Sequence, residues 1–141
     1  MRLKGLFTAG ALVALGATAA RADDLTGQQR FLCTAAQVTL CYTDGDCDKG
    51  SAWDFDVPQF IEVDLVQKRL STTKASGQSR TTPITSLQRD AGQIVLQGYE
   101  NKRAFSFLID EKTGWLTVAI ARRDVAVTVF GACTPSGGGA P

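Results

Sequence analysis

The chain has 141 residues, of which 15 are basic, 14 are acidic, four are cysteine and none is histidine. A hydrophobic fraction of 44% and a charged fraction of 21% are typical of one globular domain rather than of a disordered or fibrous chain. The lack of histidine excludes Ser-His-Asp and Cys-His catalysis and every histidine-ligated metal site. No other complete catalytic motif is present, so we expect a protein without enzymatic activity or cofactor.

Residues 1–22 have the three parts of a secretory signal peptide. Arg2 and Lys4 make a positive start, residues 5–20 are uncharged and rich in Ala, Leu and Gly, and a small-x-small cleavage pattern ends at Ala22. The apolar stretch is shorter than the roughly 20 strongly apolar residues of a spanning helix. We therefore predict export to the periplasm and no membrane span after cleavage.

Cleavage after Ala22 would leave 12 basic against 14 acidic residues, a net charge of −2. Nucleic-acid-binding proteins carry a strong basic excess or a basic stripe. We therefore expect no nucleic-acid partner. The basic pairs Lys68-Arg69, Lys102-Arg103 and Arg122-Arg123 are interpreted as solvated positions at strand ends and turns.

The four cysteines, Cys33, Cys41, Cys47 and Cys133, are an even number in a chain predicted to be exported, which favours two disulfides. Their gaps fit poorly to a four-thiolate zinc site, whose pairs are two to four residues apart. If residues 31–42 form one strand, Cys33 and Cys41 are about 26 Å apart and cannot bond. We prefer Cys41–Cys47 with Cys33–Cys133; Cys33–Cys47 with Cys41–Cys133 stays open.

Apolar side chains recur mostly at every second position from Phe31 onward, which is typical of half-buried strands. Asp, Gly, Ser and Pro clusters separate these segments, as expected of turns. The predicted strands, in chain order, are 31–42, 59–65 with a continuation towards residue 70, 80–87 with Pro83 marking an edge or bulge, 93–99, 103–110, 115–121 and 125–133.

About seven short strands joined by hairpins predict an all-β fold: a small antiparallel up-and-down barrel or curled sheet, held by the two disulfides. The predicted organisation is a signal peptide at 1–22, a single β domain at 23–134 and a flexible tail at 135–141, whose Gly, Ser and Pro content is typical of a linker. Closure of the sheet would leave few exposed edges.

The C-terminal half resembles a group of small exported proteins of Gram-negative bacteria, chiefly α-proteobacteria. The matching segments are Gly98-Tyr99-Glu100-Asn101, Arg103 to Phe107, Ile109-Asp110 with Thr113-Gly114 and Leu116-Thr117, and the end from Val129 to Thr134, which contains Phe130-Gly131-Ala132-Cys133. The likeness covers about residues 60–134 and is most specific at the last motif. It implies a periplasmic, β-rich domain, and it implies no activity.

Two features of residues 43–58 are candidate binding sites. Asp44, Asp46 and Asp48 alternate as at the start of a calcium loop, although Lys49 and Phe55 stand where an EF-hand needs Gly and Glu. A solvated acidic loop is the alternative. Trp53 and Phe55 would form an interaction patch if exposed, or would cap one end of the barrel if buried.

The first functional hypothesis is a non-catalytic accessory or interaction module, for instance an inhibitor, that presents a loop-rich end to a periplasmic protein or envelope component. The inhibitor example rests on fold-level analogy alone. The alternative is a carrier of a small apolar ligand, because a barrel of eight strands leaves room for one. The predicted interior lining is Ile61, Val63, Phe105, Phe107, Leu116 and Val118.

Overall fold

The structure, a computed structural model, describes residues 24–136. The predicted signal peptide lies outside the described residues, as does the predicted tail beyond Ser136. The strands are β1 (Arg30–Tyr42), β2 (Cys47–Gly50), β3 (Phe60–Asp64), β4 (Arg69–Thr72), β5 (Thr81–Pro83), β6 (Ser86–Asp90), β7 (Gln93–Glu100), β8 (Arg103–Asp110), β9 (Trp115–Ala121) and β10 (Val125–Pro135). Two short 3₁₀ helices span Ala52–Phe55 and Lys74–Ser76.

The predicted all-β antiparallel fold is confirmed, with ten strands in the described chain rather than seven. All ten belong to one sheet: nine follow one another in the order β5-β4-β3-β1-β10-β9-β8-β7-β6, and β2 pairs with β1 outside this path. The predicted continuation of the 59–65 strand towards residue 70 is wrong, because a turn follows Leu65 and β4 begins at Arg69. The predicted strand 80–87 is instead two short strands, β5 and β6.

The sheet curls into a half-closed barrel whose two outer strands, β5 and β6, are consecutive in the chain. Only Ile84 and Thr85 separate them. The Thr82 hydroxyl of β5 donates a hydrogen bond of 2.6 Å to the Glu100 carboxylate of β7. This side-chain contact holds the two sides of the sheet together where backbone pairing stops.

A β-bulge in β1 decides which side chains face the interior. The register with β10 shifts between Ala35 and Gln37. Cys33 and Ala35 are buried before the bulge, and Val38 is buried after it. The extra residue at a bulge breaks the strict alternation of a strand. Odd-numbered side chains of β1 therefore face the interior before the bulge, and even-numbered ones face it afterwards.

Both preferred disulfides are confirmed: Cys33–Cys133 and Cys41–Cys47. The first joins directly paired positions of β1 and β10, which are 100 residues apart in sequence. The second closes the β1–β2 hairpin. The alternative pairing is therefore excluded, and the two bonds indicate an oxidising environment.

One end of the barrel, called the base here, is closed by residues 24–29, which precede β1. Leu25 is fully buried there and belongs to the same core cluster as Phe31, Ile94 and Ile109. Arg89 forms an ion pair with the buried Glu111 and donates hydrogen bonds to the carbonyl oxygens of Leu25 and Gln28. The chain thus seals the base with its own N-terminal segment.

Candidate functional site

The barrel contains a cavity of about 170 Å³ that opens at the end opposite the base, called the mouth here. Five of the six side chains predicted to line the interior do so: Ile61, Phe105, Phe107, Leu116 and Val118. The sixth, Val63, is buried in the core. The cavity exists because the inward positions of neighbouring strands carry aliphatic and aromatic side chains that do not fill the space between them.

Polar side chains collect at the mouth because of the strand register. Glu100 at the end of β7 pairs with Arg103 at the start of β8. Arg122 follows directly after β9, and Arg80 directly precedes β5. All four side chains line the cavity, so the strand ends bring together three arginines and a carboxylate that are up to 42 residues apart in sequence.

The three arginines of the mouth form no ion pair within the part of the chain that the structure describes. The ion pairs found there are Arg30–Asp64 and Arg89–Glu111. The Nε atom of Arg80 is buried and has no hydrogen-bond partner among residues 24–136. A buried donor without an acceptor is costly, so this guanidinium is a ready partner for an anionic group.

Arg103, expected to be a solvated residue at a strand end, is instead half-buried on the cavity wall. Arg122 is exposed as expected, and it also lines the cavity. The sequence signal that identifies Arg103 is its spacing, because it lies two and four residues before Phe105 and Phe107, whose side chains face the cavity. Arg80 has no such signal because the residues before β5 form a polar connection without regular alternation.

The 3₁₀ helix Ala52–Phe55 separates the two aromatics of the predicted interaction patch. Phe55 is half-buried and lines the cavity, whereas the Trp53 side chain is 60% exposed. The helix is fixed by Asp54, which accepts hydrogen bonds of 2.7 Å from both the hydroxyl and the backbone N–H of Ser51. These bonds lower the pKa of Asp54.

The loop that follows this helix is hydrogen-bonded to the loop that precedes β5. The Gln78 amide donates hydrogen bonds of 3.2 Å to the carbonyl oxygen and the carboxylate of Asp56. Asp56 also lines the cavity. The loops at this end are therefore fixed by polar contacts around an apolar interior.

The candidate calcium residues are exposed at the tip of the β1–β2 hairpin. Asp44 accepts a 3.0 Å hydrogen bond from the Asp46 backbone N–H, which is a turn contact, and Asp48 lies in β2 opposite Leu40. Between residues 24 and 136, no group of three or more Cys, Asp and Glu side chains is arranged to hold a metal ion. Of these three side chains, the structure gives Asp44 a contact within the turn.

The outer face of the sheet carries an apolar patch formed by Leu108, Trp115 and Phe130. Leu108 of β8 and Phe130 of β10 both pair with Thr117 of β9, and Trp115 lies two residues along that strand. Their exposed fractions are 42%, 74% and 50%. Contiguous exposed apolar side chains often mark interaction surfaces.

Within the described residues, no helix has the length and apolar character needed to cross a membrane. No family model matches the chain, and no curated protein matches it at a significant level.

Proposed function

We propose that this protein is a non-catalytic periplasmic carrier that holds a small apolar ligand inside its half-closed barrel. The observation that carries the proposal is the cavity of about 170 Å³ with its apolar wall. Dry apolar cavities of about 150 Å³ accept benzene, so the cavity suits a ligand of about six carbon atoms. Ligand sites in the mouths of β-barrels are a recurring arrangement.

Binding is tested by NMR titration of the disulfide-bonded protein with benzene. The backbone amides of Phe107, Leu116 and Val118 should shift in a saturable manner, because these residues line the cavity. Shifts spread over the outer face, or no saturable shift, would contradict the proposal.

A variant that fills the cavity supplies the matched comparison. Val118→Phe should abolish benzene binding, whereas Ala119→Val on the exposed side of the same strand should leave binding unchanged. Because a larger side chain in a packed core costs about 1–3 kcal/mol, Ile120→Phe at a half-buried cavity position is the second filling variant. Retained binding in both folded variants would refute the cavity as the site.

The proposed location has its own test. The signal-peptide pattern and the disulfides support export to the periplasm. Mass spectrometry of the protein from a periplasmic fraction should give a chain beginning at Asp23 with no free thiol. An intact N-terminus in the cytoplasmic fraction would contradict both the cleavage and the location.

The interaction module predicted from sequence is the second candidate function, and the patch of Leu108, Trp115 and Phe130 favours it. A photo-crosslinking amino acid at position 115 should then give one discrete crosslinked product with a periplasmic protein or envelope component. The same label at position 66, where Val66 is 69% exposed away from the patch strands, is the control. Equal labelling from both positions would argue against a specific surface.

A further inference from the structure

We infer that the ligand is a small amphiphile: a hydrocarbon body of about six carbons in the cavity and a single anionic head group at the mouth, bound by Arg80, Arg103 and Arg122. This inference rests on the proposed carrier function and specifies its substrate class. It is carried by the position of these three arginines and by the orphaned Nε of Arg80.

The charge at the mouth favours an anion. Three arginines and two carboxylates, those of Asp56 and Glu100, line the cavity, which leaves one positive charge in excess. The Glu100 carboxylate accepts a hydrogen bond from Thr82, and Asp56 accepts one from Gln78. Both acids are thus hydrogen-bonded within the protein, whereas the three guanidinium groups form no ion pair in the described part of the chain.

The chemistry of arginine suits this role. A guanidinium presents several N–H donors in a planar fork that matches the oxygens of a carboxylate or a phosphate. In Arg80 the Nε donor is buried and lacks an acceptor among the described residues. Because this atom is closed to solvent, a head-group oxygen would reach it only after the Arg80 side chain turns towards the cavity, and the donor would then gain the acceptor that it lacks.

The apolar wall sets the other half of the ligand. Phe105, Phe107 and Val118 line the same cavity as the arginines, so one molecule can contact both. A free inorganic anion would leave the apolar wall unused, and a pure hydrocarbon would leave the arginines without a partner. The shared chemistry is an alkyl chain with an anionic end, either a carboxylate or a phosphate ester.

The experiment compares probes that share one six-carbon chain and differ at the end group. The probes are hexanoate, hexyl phosphate, hexan-1-ol and hexylamine, each titrated at pH 7 into the disulfide-bonded protein and followed by the amide shifts of the cavity residues. We expect at least one anion to bind about tenfold or more tightly than hexan-1-ol, since hydrogen bonds to charged groups exceed neutral ones by this order. Hexylamine should bind more weakly than the alcohol.

Variants of the mouth assign the effect to its residues. Arg80→Gln, Arg103→Gln and Arg122→Gln should each weaken anion binding several-fold and leave hexan-1-ol binding unchanged. Glu100→Gln should strengthen anion binding, because it removes a competing negative charge. Arg123→Gln is the matched control, since Arg123 is exposed next to Arg122 and does not line this cavity.

The outcomes separate this inference from the carrier proposal. Tighter binding of hexanoate or of hexyl phosphate supports an anionic head group and identifies which kind the mouth prefers. Equal binding of hexan-1-ol and both anions overturns the inference while the carrier proposal stands. Failure of all four probes and of benzene overturns both. Inorganic phosphate that binds as tightly as hexyl phosphate overturns the inference, because the chain would then contribute nothing.

Discussion

Gly131 lies in β10 where that strand passes the bulge of β1. A Cβ atom there would overlap the carbonyl oxygen of Thr34 and crowd the backbone of Ala35. Both neighbours are backbone atoms of a paired strand, so they cannot rotate aside as a side chain would. Glycine at this position is therefore needed for the close approach of the two strands and not for an unusual backbone conformation.

Replacing this glycine should destabilise the fold. Gly131→Ala is expected to lower the free energy of unfolding by about 1–3 kcal/mol, the usual range for overpacking, as measured by urea denaturation. Ala132→Val, at an exposed position of the same strand, should change it by no more than about 0.5 kcal/mol. Equal effects of the two substitutions would show that β1 and β10 can separate without cost.

Asp64 gives the fold a defined acid sensitivity. A hydrogen bond from the Gln67 backbone and the nearby Arg30 lower the pKa of this carboxyl below 3.8, against the opposing effect of burial. Because the pKa of Asp64 is lower in the folded state than in the unfolded state, the ionised carboxylate stabilises the fold fully above its unfolded-state pKa. This stabilisation is lost as the pH falls through the folded-state pKa. Stability should therefore decline below about pH 4.

The Asp64→Asn variant isolates this contribution. The difference in urea midpoint between pH 7 and pH 3 should be smaller in the variant than in the native protein. Asp124→Asn, at an exposed turn position without an ion pair in the described chain, should keep the native difference. An unchanged pH dependence in Asp64→Asn would show that other carboxyls account for the acid limb.

Sequence reasoning placed Phe105, Phe107, Leu116 and Val118 in the interior, because each alternates cleanly in an unbroken strand. It misplaced Arg103, since a charged residue at a strand end is usually solvated. What the pattern could not show is that the mouth stays open, so that an inward arginine there meets both the cavity and water. Such a position is defined by the neighbouring strands and not by local sequence.

At the scale of elements, the long strands with β-branched and aromatic alternation were predictable within two residues, as β7, β8 and β9 show. The short strands were not. β2 consists of Cys-Asp-Lys-Gly, which has no strand propensity of its own and pairs because the Cys41–Cys47 bond and the turn hold it against β1. β5 and β6 are separated only by Ile84 and Thr85, and no turn signal in these two residues marks the break.

The two disulfides span very different separations in sequence, so their removal should lower the free energy of unfolding by different amounts. In the chain-entropy view, closing a 100-residue loop is worth about 4–5 kcal/mol and closing a 6-residue loop about 2 kcal/mol. The double variant Cys33→Ala/Cys133→Ala should therefore lose more stability in urea denaturation than Cys41→Ser/Cys47→Ser.

Exposure gives a second, independent check on the same bonds. Cys33 and Cys133 are buried, whereas Cys47 is exposed. A water-soluble reductant applied to the folded protein should open Cys41–Cys47 first, as followed by thiol alkylation and mass spectrometry. Simultaneous reduction of both bonds in the native state would mean that the core opens readily.

The segment that seals the base depends on the partly buried ion pair between Arg89 and Glu111. Arg89→Leu leaves the Glu111 carboxylate without its partner; removing one member of a fully buried pair costs about 3–5 kcal/mol, and this partly exposed pair should lose less. The double variant Arg89→Leu/Glu111→Leu should recover much of this loss. Hydrogen exchange at residues 26–29 should speed up in both, because Arg89 also binds the carbonyl oxygens of Leu25 and Gln28.

A recovery that fails to appear in the double variant would contradict this account. The loss of stability would then come from the missing contacts of Arg89 with residues 24–29 and not from the unpaired charge of Glu111. Urea denaturation of the native protein, the single variant and the double variant distinguishes the two cases.

Within residues 24–136, the buried apolar side chains form a continuous cluster that extends through every long strand. The first and last long strands, β1 and β10, are neighbours in its sheet. With the disulfides intact, unfolding should be a single cooperative transition, and far-UV and near-UV circular dichroism should give the same midpoint. Two separated transitions would show that the β1–β5 side and the β6–β10 side form independent units.

The pairing of Phe31 with Pro135 puts the start of β1 beside the end of β10, at the base. The described chain therefore begins and ends at the base, with residues 24 and 136 on the same side of the molecule. A tether attached at residue 24 or residue 136 would hold the domain by its base and leave the arginine-lined opening facing away from the point of attachment. Immobilised in this way, the domain would still present its binding end to solution.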